Sequence, residues 1–449
     1  MSDVLQNKST DKSASTNNND PVATITSLTH DGRGVARVND KVVFIEGALP
    51  GEEVVFRYGK KRKKYDQGKL LEILKPSEQR VEPPCEYYGL CGACGLQHLD
   101  SAQQIHEKEN ILREHFNKFG GIAPEQWLPP LSGEKTHYRR KARLGARYVI
   151  KKEKVLVGFR EKASSYIADM LSCKTLDKRF SDMLPHLREL IMGLSCKKSV
   201  PQIEVAAGDD SVALIFRHLE SLTDDDSQSL IDFGKEFNAN IYVQSKGPDS
   251  VKLIWPEQDQ PMSYHLPDFD LEMLFRPNDF IQVNADMNRR MVKYALDLLD
   301  VQPEDKVLDL FCGLGNFTLP LAKCAEQVVG VEANDSLLEF ARQNAEHNSV
   351  ENVEFRKADL YDEKSTIPWA DFQFNKLLID PPRDGAFHVV KQLPKKGPQC
   401  IVYVSCNPIT LARDSEYLVN EQGYRMTKAG VMDMFPHTYH VESIAVFVK

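Results

Sequence analysis

Long hydrophobic runs are absent from the 449 residues of this chain. No apolar stretch approaches the roughly 18 residues that a membrane-spanning helix requires, so a membrane protein is not expected. The first residues are rich in Ser, Thr, Asn and Asp and lack the apolar segment of a secretory signal. We therefore expect a cytoplasmic protein that does not enter the membrane.

An excess of positive charge is absent as well, because 57 Lys and Arg residues stand against 65 Asp and Glu residues and the net charge is -8. This balance argues against a uniformly basic nucleic-acid-binding protein, but it is compatible with local basic patches. Nine cysteines are present, and in a cytosolic chain cysteines are more often metal ligands or catalytic groups than disulfides. The length corresponds to about two to four domains.

The N-terminal part of the chain predicts a tail followed by a small barrel. Residues 1–21 lack aromatic residues and hydrophobic periodicity and are expected to be disordered. Over residues 22–80, alternating apolar runs separated by turn residues predict about five strands and a small, OB-like β-barrel. The basic run 57–65, with its tyrosines, is predicted to be a loop that contacts phosphates and stacks on bases. The alternative is a solvated loop.

Three closely spaced cysteines follow the predicted barrel: Cys85, Cys91 and Cys94. On a glycine-rich loop these thiols can converge on one metal centre, for which Cys173 is the fourth ligand or, as a weaker alternative, His98. Four thiolates suit either structural zinc or an iron–sulfur cluster, and the spacing is consistent with both. The alternative is that the three thiols are unrelated.

The central part, residues 81–270, is predicted to be an α+β domain. We expect a helix from Ser101 to Gly120 and a hairpin over residues 143–159 with one cationic face, suited to phosphate binding or to protection of a sheet edge. A helix over residues 179–194, interrupted at Pro185, is expected next. It is followed by four strands in the range 203–255.

Residues 271–449 alternate between apolar strands and helices. Five such strands, between residues 306 and 405, predict a Rossmann-like, doubly wound parallel sheet. A final pair of strands, over residues 424–434 and 443–448, predicts an antiparallel edge, as in S-adenosylmethionine-dependent methyltransferases. The multidomain chain is thus expected to end in a methyltransferase-like α/β domain.

Two of these strands end in reactive side chains. The strand 376–379 runs into Asp380-Pro-Pro-Arg383, and the strand 400–405 runs into Cys406. Adjacent parallel strands would place this carboxylate and this thiol at the same sheet edge, where ligands collect in open α/β sheets. The alternative for Cys406 is a buried structural thiol.

The first strand of the set leads into a glycine-rich loop, residues 309–317. Its glycines allow backbone to approach a cofactor closely, while Thr318 stands where a dinucleotide-binding loop would have a third glycine. At the end of the second strand, Glu332 is placed to bind a ribose diol. Asp359, just past the third strand, is placed to reach an adenine edge. The alternatives for both carboxylates are helix caps or solvated loop ends.

Together these motifs resemble the RNA uracil-C5 methyltransferases. The segments that carry the resemblance are Phe280-x-Gln282-x-Asn284, Asp309–Phe317, Asp380–Gly385, Tyr403–Pro408 and His440-Val-Glu442. The leading barrel and the four cysteines resemble the branch that acts on 23S ribosomal RNA, which has an N-terminal TRAM barrel and a four-cysteine [4Fe-4S] cluster. The transfer-RNA branch is similar in its C-terminal third but lacks both features.

The resemblance implies a role for each motif residue. Cys406 would be the nucleophile that adds to C6 of uracil, and Glu442 would be the base that removes the C5 proton. Phe280 is a candidate for stacking on a flipped base. The residues implied to contact S-adenosylmethionine are Gln282, Phe311, Asn316, Glu332, Asp359 and Asp380. Those implied to hold the cluster are Cys85, Cys91, Cys94 and Cys173.

Three other functions compete with this hypothesis. A cytosine-C5 RNA methyltransferase would also use a thiol, although the Asp-Pro-Pro-Arg and Ser-Cys-Asn-Pro segments resemble the uracil enzymes. A nicotinamide oxidoreductase would share the sheet and Glu332 but would leave Cys406 and the basic segments without a role. A ribosome-assembly factor would bind RNA without methyl transfer. We expect a monomer, because nothing in the sequence indicates an obligate dimer.

Overall fold

Four β-sheets and their covering helices make up the part of the chain described by this computed structural model, which comprises residues 20–258, 260–362, 367–394 and 396–449. The tail expected to be disordered, residues 1–21, lies outside the described residues apart from its last two positions. Among the helices of the described residues, none is both long enough and apolar enough to cross a bilayer.

Six strands form the N-terminal sheet: β1 (Val22–Thr24), β2 (Ser27–Leu28), β3 (Gly34–Val38), β4 (Lys41–Glu46), β5 (Glu53–Lys61) and β6 (Tyr65–Lys75). Their order is β1-β5-β6-β4-β3-β2. The alternating apolar residues of these strands point to one side and form a small separate core, in which Val43, Ile45, Val54 and Phe56 are fully buried. An N-terminal all-β unit is therefore present, as predicted.

The basic run 57–65 differs from its prediction as a loop. Strand β5 continues through Lys61 and β6 begins at Tyr65, so most of the run is a hairpin. At the tip, the backbone N–H of Arg62 donates to the carbonyl of Tyr65 at 2.9 Å. Antiparallel strands can pair through their backbones without an apolar face, which is why hydrophobic alternation underestimated the length of both strands.

The central sheet has the order β13-β12-β11-β10-β8-β9. Its strands are β8 (Lys141–Val149), β9 (Lys154–Gly158), β10 (Gln202–Ala207), β11 (Val212–Arg217), β12 (Ala239–Gln244) and β13 (Val251–Trp255), and it is covered by α2 (Lys178–Gly193) and α3 (Asp224–Glu236). Helix α2 is not interrupted at Pro185, because the burial of Leu184, Leu187 and Ile191 stabilises the helix around it.

Helix α3 was not expected from hydrophobic periodicity, although the sequence does mark its start. Thr223 and Asp226 form a capping box in which each side chain accepts a hydrogen bond from the backbone of the other. Only Leu230 and Phe233 among its large apolar residues are buried. A helix with so narrow an apolar stripe has a weak periodic signal, so its cap is the more informative feature.

The C-terminal sheet has the order β18-β17-β16-β19-β20-β22-β21-β7. Its strands are β7 (Gln126–Trp127), β16 (Lys306–Leu310), β17 (Gln327–Glu332), β18 (Val353–Lys357), β19 (Lys376–Ile379), β20 (Cys400–Ser405), β21 (Arg425–Met432) and β22 (Glu442–Val448). Strands β16 to β20 are parallel and β22 is antiparallel to β20. This is the predicted doubly wound sheet with an antiparallel edge.

Helices cover both faces of this sheet: α1 (Ser101–Lys118), α4 (Ala285–Leu299), α5 (Thr318–Ala322), α6 (Asp335–His347), α7 (Phe387–Gln392) and α8 (Pro408–Asn420). Neighbouring residues of one strand face different cores, since Leu377 packs in one apolar cluster and Leu378 in the other. Burial on both faces explains the continuous apolar runs that made these strands recognisable. The pair β14 (Met262–Leu266) and β15 (Leu271–Phe275) lies before α4.

Candidate active site

The register of three adjacent strands brings a thiol and two carboxyl groups to one sheet edge. Strands β19 and β20 pair in parallel with Ile379 opposite Tyr403, so Asp380 and Cys406 both follow a strand end on the same side. Strand β22 runs the other way and pairs Ser443 with Ser405. Cys406 and Glu442, the next residues along the two strands, are therefore neighbours.

A single cavity of about 570 Å³ opens at this edge. Its walls include all eight residues for which the family resemblance implied a role in catalysis or cofactor binding. They are Gln282, Phe311, Asn316, Glu332, Asp359, Asp380, Cys406 and Glu442. These residues span more than 150 positions of the chain and come together because parallel strands end at a common edge.

Glu332 is held at the end of β17 by backbone donors. Its Oε2 accepts a hydrogen bond from the N–H of Gly313 at 3.2 Å, and its Oε1 accepts from the N–H groups of Ala333 and Asn334 at 2.9 and 3.0 Å. The carboxylate thus links the glycine-rich loop to the second strand. Oε2, which accepts only one of these bonds, keeps further acceptor capacity, which suits a hydroxyl of a ribose diol.

Asn316 is fixed from two sides. Its Oδ1 accepts from the hydroxyl of Tyr264 at 2.8 Å and from the amide of Asn288 at 3.0 Å, and its own amide donates to the Asn288 oxygen at 2.9 Å. Tyr264 lines the cavity but was missed in the sequence, because it lies in a short strand outside the recognised motifs. Only the packing of β14 against the sheet brings it here.

Phe311 has an unusual backbone at the start of the glycine-rich loop. Its φ is +65°, a left-handed conformation that bulky residues rarely adopt, and its ring lies 5.7 Å from that of Tyr361. Such conformations persist where surrounding structure holds them and are concentrated at binding sites. Phe311 and Tyr361 together give the cavity an aromatic wall.

Burial raises the pKa values of three carboxyl groups in and beneath this cavity, those of Asp380, Glu442 and Asp309. Burial raises the pKa of Asp380 to about 7. The pKa of Glu442 is raised well above its usual range, first by burial and then by the charge of Asp380. Beneath the loop, burial raises the pKa of Asp309 to about 8, while the hydrogen bond from Thr318 opposes the shift. A cationic ligand would therefore favour ionisation of this acidic group of side chains.

The thiol of Cys406 holds its proton in the protein alone. Its pKa is raised to about 11, first by burial and then by the charges of Glu442 and Asp380, while the guanidinium of Arg383 opposes the shift. Arg383 also donates to Nδ1 of His440 at 3.0 Å, which keeps this cation at the mouth of the cavity. Conversion to the reactive thiolate thus requires either relief from the negative charge or a proton acceptor.

The four candidate ligand cysteines are also brought together. Cys85, Cys91, Cys94 and Cys173 line one small apolar cavity in the central part, whereas His98 is not among its lining residues. The pKa of Cys91 is raised to about 12 and that of Cys94 to about 11, first by burial and in smaller part by the neighbouring thiols. Within the described ranges, no three or more His, Cys, Asp or Glu side chains are arranged to hold a single metal ion.

The sheet order, the glycine-rich loop after its first strand and the acidic residue after its second define an S-adenosylmethionine-dependent methyltransferase fold. Residues 100–449 match the family described as tRNA (Uracil-5-)-methyltransferase, and residues 22–71 match the TRAM domain. The chain therefore belongs to the RNA uracil-C5 methyltransferase family. This confirms the family resemblance and the N-terminal TRAM domain that it implied.

Two relatives resemble nearly the whole chain. The 23S rRNA (uracil(1939)-C(5))-methyltransferase RlmD of Nitrosococcus oceani is 53% identical over 428 residues, with 95% of each chain covered. The protein of the same name from Alcanivorax borkumensis is 51% identical, with 95% of this chain and 96% of the relative covered.

A solved structure with the same architecture is that of the tRNA (uracil-54, C5)-methyltransferase of Pyrococcus abyssi in complex with S-adenosyl-L-homocysteine. It superposes with a TM-score of 0.74 at 27% sequence identity, and the match covers 95% of this chain and 99% of the other. The similarity thus extends across the N-terminal, central and C-terminal sheets.

Proposed function

We propose that this protein transfers a methyl group from S-adenosylmethionine to C5 of a specific uridine in 23S ribosomal RNA. The observation that carries the proposal is the pairing of Cys406 with Glu442 at the wall of a cavity whose other side holds Glu332 and Asn316. The relatives that match 95% of the chain are 23S ribosomal RNA enzymes, which favours this substrate over transfer RNA.

The chemistry requires a nucleophile and a base on one substrate ring. The thiolate of Cys406 adds to C6 of uracil, and the electron pair of the C5–C6 bond moves into an enolate with carbanion character at C5. S-adenosylmethionine, when bound, supplies an electrophilic methyl group: C5 takes it up with its electron pair, the S–CH3 bond breaks, and the sulfur leaves as the neutral thioether of S-adenosylhomocysteine. The carboxylate of Glu442 then removes the C5 proton, the C5–C6 double bond forms again, and the thiolate leaves.

The cofactor would occupy the side of the cavity away from Cys406. Glu332 would accept hydrogen bonds from the ribose hydroxyls, Asp359 would face the adenine edge, and Phe311 would pack against the base. Gln282, Asn316 and Asp380 would contact the methionine part. The fit rests on the cavity volume of about 570 Å³, which is in the range of small-molecule sites, and on its raised carboxyl pKa values, which suit a sulfonium cation.

The RNA would contact all three parts of the chain. Phe280, with 69% of its surface exposed at the rim of the cavity, would stack on the extruded uracil. The exposed lysines of the hairpin 57–65 and the cationic β8–β9 hairpin would contact phosphates. We assign residues 22–80 to the RNA-binding barrel, 81–270 to the central domain and 271–449 to the methyltransferase domain, in a cytoplasmic monomer.

Cys85, Cys91, Cys94 and Cys173 would hold a [4Fe-4S] cluster. Four thiols around one cavity suit a soft metal, and the raised pKa values of Cys91 and Cys94 mean that a bound cation is needed to keep these two as thiolates. With all four ligands in place the cluster would be structural.

The test compares two active-site variants on unmodified 23S ribosomal RNA with labelled cofactor. Cys406→Ala is expected to lose methyl transfer and any covalent RNA adduct, whereas Glu442→Gln should still add to C6 and accumulate the adduct, because the C5 proton stays in place. Adducts are measured by gel mobility, and the methylated base is identified by mass mapping. Cys400→Ala, at a buried thiol outside the cavity, is the control. Full activity of Cys406→Ala would refute the mechanism, and label on cytosine would refute the substrate.

A further inference from the structure

Tyr439 lies at a junction of three parts of the protein. These are the N-terminal barrel, the loop that carries Cys85, Cys91 and Cys94 (the cysteine loop), and the wall of the active-site cavity. Its ring packs against Gly32 of the barrel, where an added Cβ would be 1.7 Å from the Tyr439 Cε1 atom. It also packs against Gly95, which directly follows Cys94 and where an added Cβ would be 2.1 Å from Cζ of the same ring. Both glycines are thus needed for the ring to be placed here.

Hydrogen bonds join the segment around Tyr439 to the cysteine loop. The Tyr439 hydroxyl donates to the carbonyl of Gly95 at 2.8 Å. In the opposite direction, the N–H groups of Gly95 and Leu96 both donate to the carbonyl of His437 at 3.0 Å. The N–H of His437 donates to the side-chain oxygen of Gln104 in α1 at 2.9 Å. The loop and the segment before β22 are therefore joined by several directional bonds.

Apolar packing closes this junction on the barrel side. Leu28 and Leu49 of the barrel form one buried cluster with Leu96 and Leu99 of the following loop, and Tyr439 packs against it. Removal of apolar area from water makes such a cluster resist separation. The position of the Tyr439 ring is thus determined jointly by the barrel and by the cysteine loop.

The segment that carries Tyr439 is itself part of the cavity wall. Phe435 and His440 line the cavity, and Glu442 follows Tyr439 by three residues. On its other side, the ammonium of Lys108 donates to the carbonyl of Phe435 at 2.9 Å. A displacement of the Tyr439 ring would therefore be transmitted over a short, well-bonded segment to the carboxyl group of Glu442.

We propose that Tyr439 is a positioning residue, which uses the barrel and the cysteine loop as supports to hold Glu442 at the distance needed to remove the C5 proton. This inference rests on the proposed function of Glu442. It makes a distinct claim: loss of the junction slows proton removal more than thiol addition, since Cys406 is carried by a different strand, β20.

The first test deletes one hydroxyl. Tyr439→Phe removes the bond to Gly95 and is expected to lower kcat about tenfold or more, as small displacements of catalytic groups do, while cofactor affinity stays unchanged. The covalent RNA adduct should rise several-fold over wild type, as proton removal becomes limiting. The matched control is Tyr424→Phe, which removes a 2.9 Å hydroxyl-to-carbonyl bond with Pro398 in the same domain and outside the cavity. It should leave both kcat and adduct level within about twofold of wild type.

The second test displaces the Tyr439 ring by a substitution in the barrel. Gly32→Ala places a methyl group into the Tyr439 ring, whereas Gly51→Ala introduces the same left-handed strain with nothing within 4 Å of the new Cβ. Their φ values are +72° and +83°. At saturating RNA, Gly32→Ala should lower kcat and accumulate adduct as Tyr439→Phe does, although it lies more than 400 residues from Glu442. Gly51→Ala should behave as wild type.

Thermal unfolding must first show that Tyr439→Phe and Gly32→Ala are folded, and calorimetry that they bind the cofactor. The inference is overturned if these folded variants show the kcat and adduct levels of their controls. It is also overturned if both lose activity without adduct, because that result places the defect before C6 addition. If either variant does not fold, Tyr439→Trp, which keeps a ring but removes the hydroxyl, takes its place with the same criteria. Failure of the wild-type protein to methylate uridine would instead refute the proposed function.

Discussion

At the scale of single residues, the two reactive groups of the site must each lose a proton before they can act. Cys406 reacts as a thiolate and Glu442 acts as a base only when ionised, yet burial raises the pKa of both groups. Arg383 is the cation that counters these shifts at both side chains. The protein alone therefore holds its reactive groups in their protonated, inactive forms, which protects the thiol until a substrate and a cationic cofactor are in place.

The link between cofactor binding and ionisation of the site can be measured at Asp380, as a pH dependence of the affinity for the cofactor. The Asp380 pKa of about 7 is raised by burial, and a bound sulfonium cation favours the ionised form. Below this pKa a proton must leave upon binding, so affinity for S-adenosylmethionine should fall about tenfold per pH unit, and it should level off as pH rises above 7.

Calorimetry in buffers of different ionisation enthalpy would measure the released proton. Asp380→Asn, which cannot ionise, should bind more weakly but with a flatter pH profile. A wild-type affinity that does not change between about pH 5.5 and 8 would contradict this account of the carboxyl group.

At the scale of elements, α1 is bound to the C-terminal sheet by an ion pair in the interior. The ammonium of Lys108 and the carboxylate of Asp433 are 2.8 Å apart and 2% and 1% exposed, and Lys135 donates to the second Asp433 oxygen at 2.7 Å. Hydrogen bonds satisfy both oxygens, as a buried charge requires. The helix that follows the cysteine loop is thereby attached to the segment that leads to Glu442.

Removal of one partner should be costly because the other charge stays buried. Asp433→Ala is expected to lower the free energy of unfolding by about 3 to 5 kcal/mol. The exposed pair Lys118–Glu114, on the same helix at 3.5 Å, is the control, and Glu114→Ala should cost less than about 1 kcal/mol. Urea unfolding gives both values. Equal losses in the two variants would show that burial does not decide the strength of these pairs.

At the scale of the whole molecule, the N-terminal, central and C-terminal sheets are joined by contacts between distant segments. Strand β7, from residues before the central sheet, pairs with β21 at the edge of the C-terminal sheet. The cysteine loop contacts both the barrel and the segment before β22 through Tyr439. Loss of the proposed metal centre should therefore affect the entire protein and not the central part alone.

The proposed cluster leads to a direct chemical test. Anaerobically purified protein should be brown, with broad visible absorption and about four iron atoms per chain. Cys94→Ser should lose iron, because it removes one of four thiolate ligands, and should unfold at a lower temperature. Cys196→Ser, at a buried thiol that does not line the cysteine cavity, should keep its iron. A colourless protein loaded with zinc would refute the iron–sulfur assignment.

Local pattern determined a large part of this protein. The parallel strands were recognisable because burial on both faces makes them continuously apolar. The TRAM barrel and the methyltransferase fold were confirmed, whereas the hairpin of the basic run and α3 were not foreseen. Asp380, Cys406, Glu332 and Asp359 were identifiable from their positions after strand ends, whereas Gln282, Phe311, Asn316 and Glu442 were identified through the family resemblance.

The remainder depended on contacts between distant segments. The pairing of β20 with β22 decides that Cys406 meets Glu442, and Tyr264 reaches the cavity only through packing. The shifted pKa values, the buried ion pair of Lys108 and the position of Tyr439 between two glycines likewise arise from chain segments hundreds of residues apart. Hydrophobic periodicity reports which face of an element is buried, but it does not report which other element covers that face.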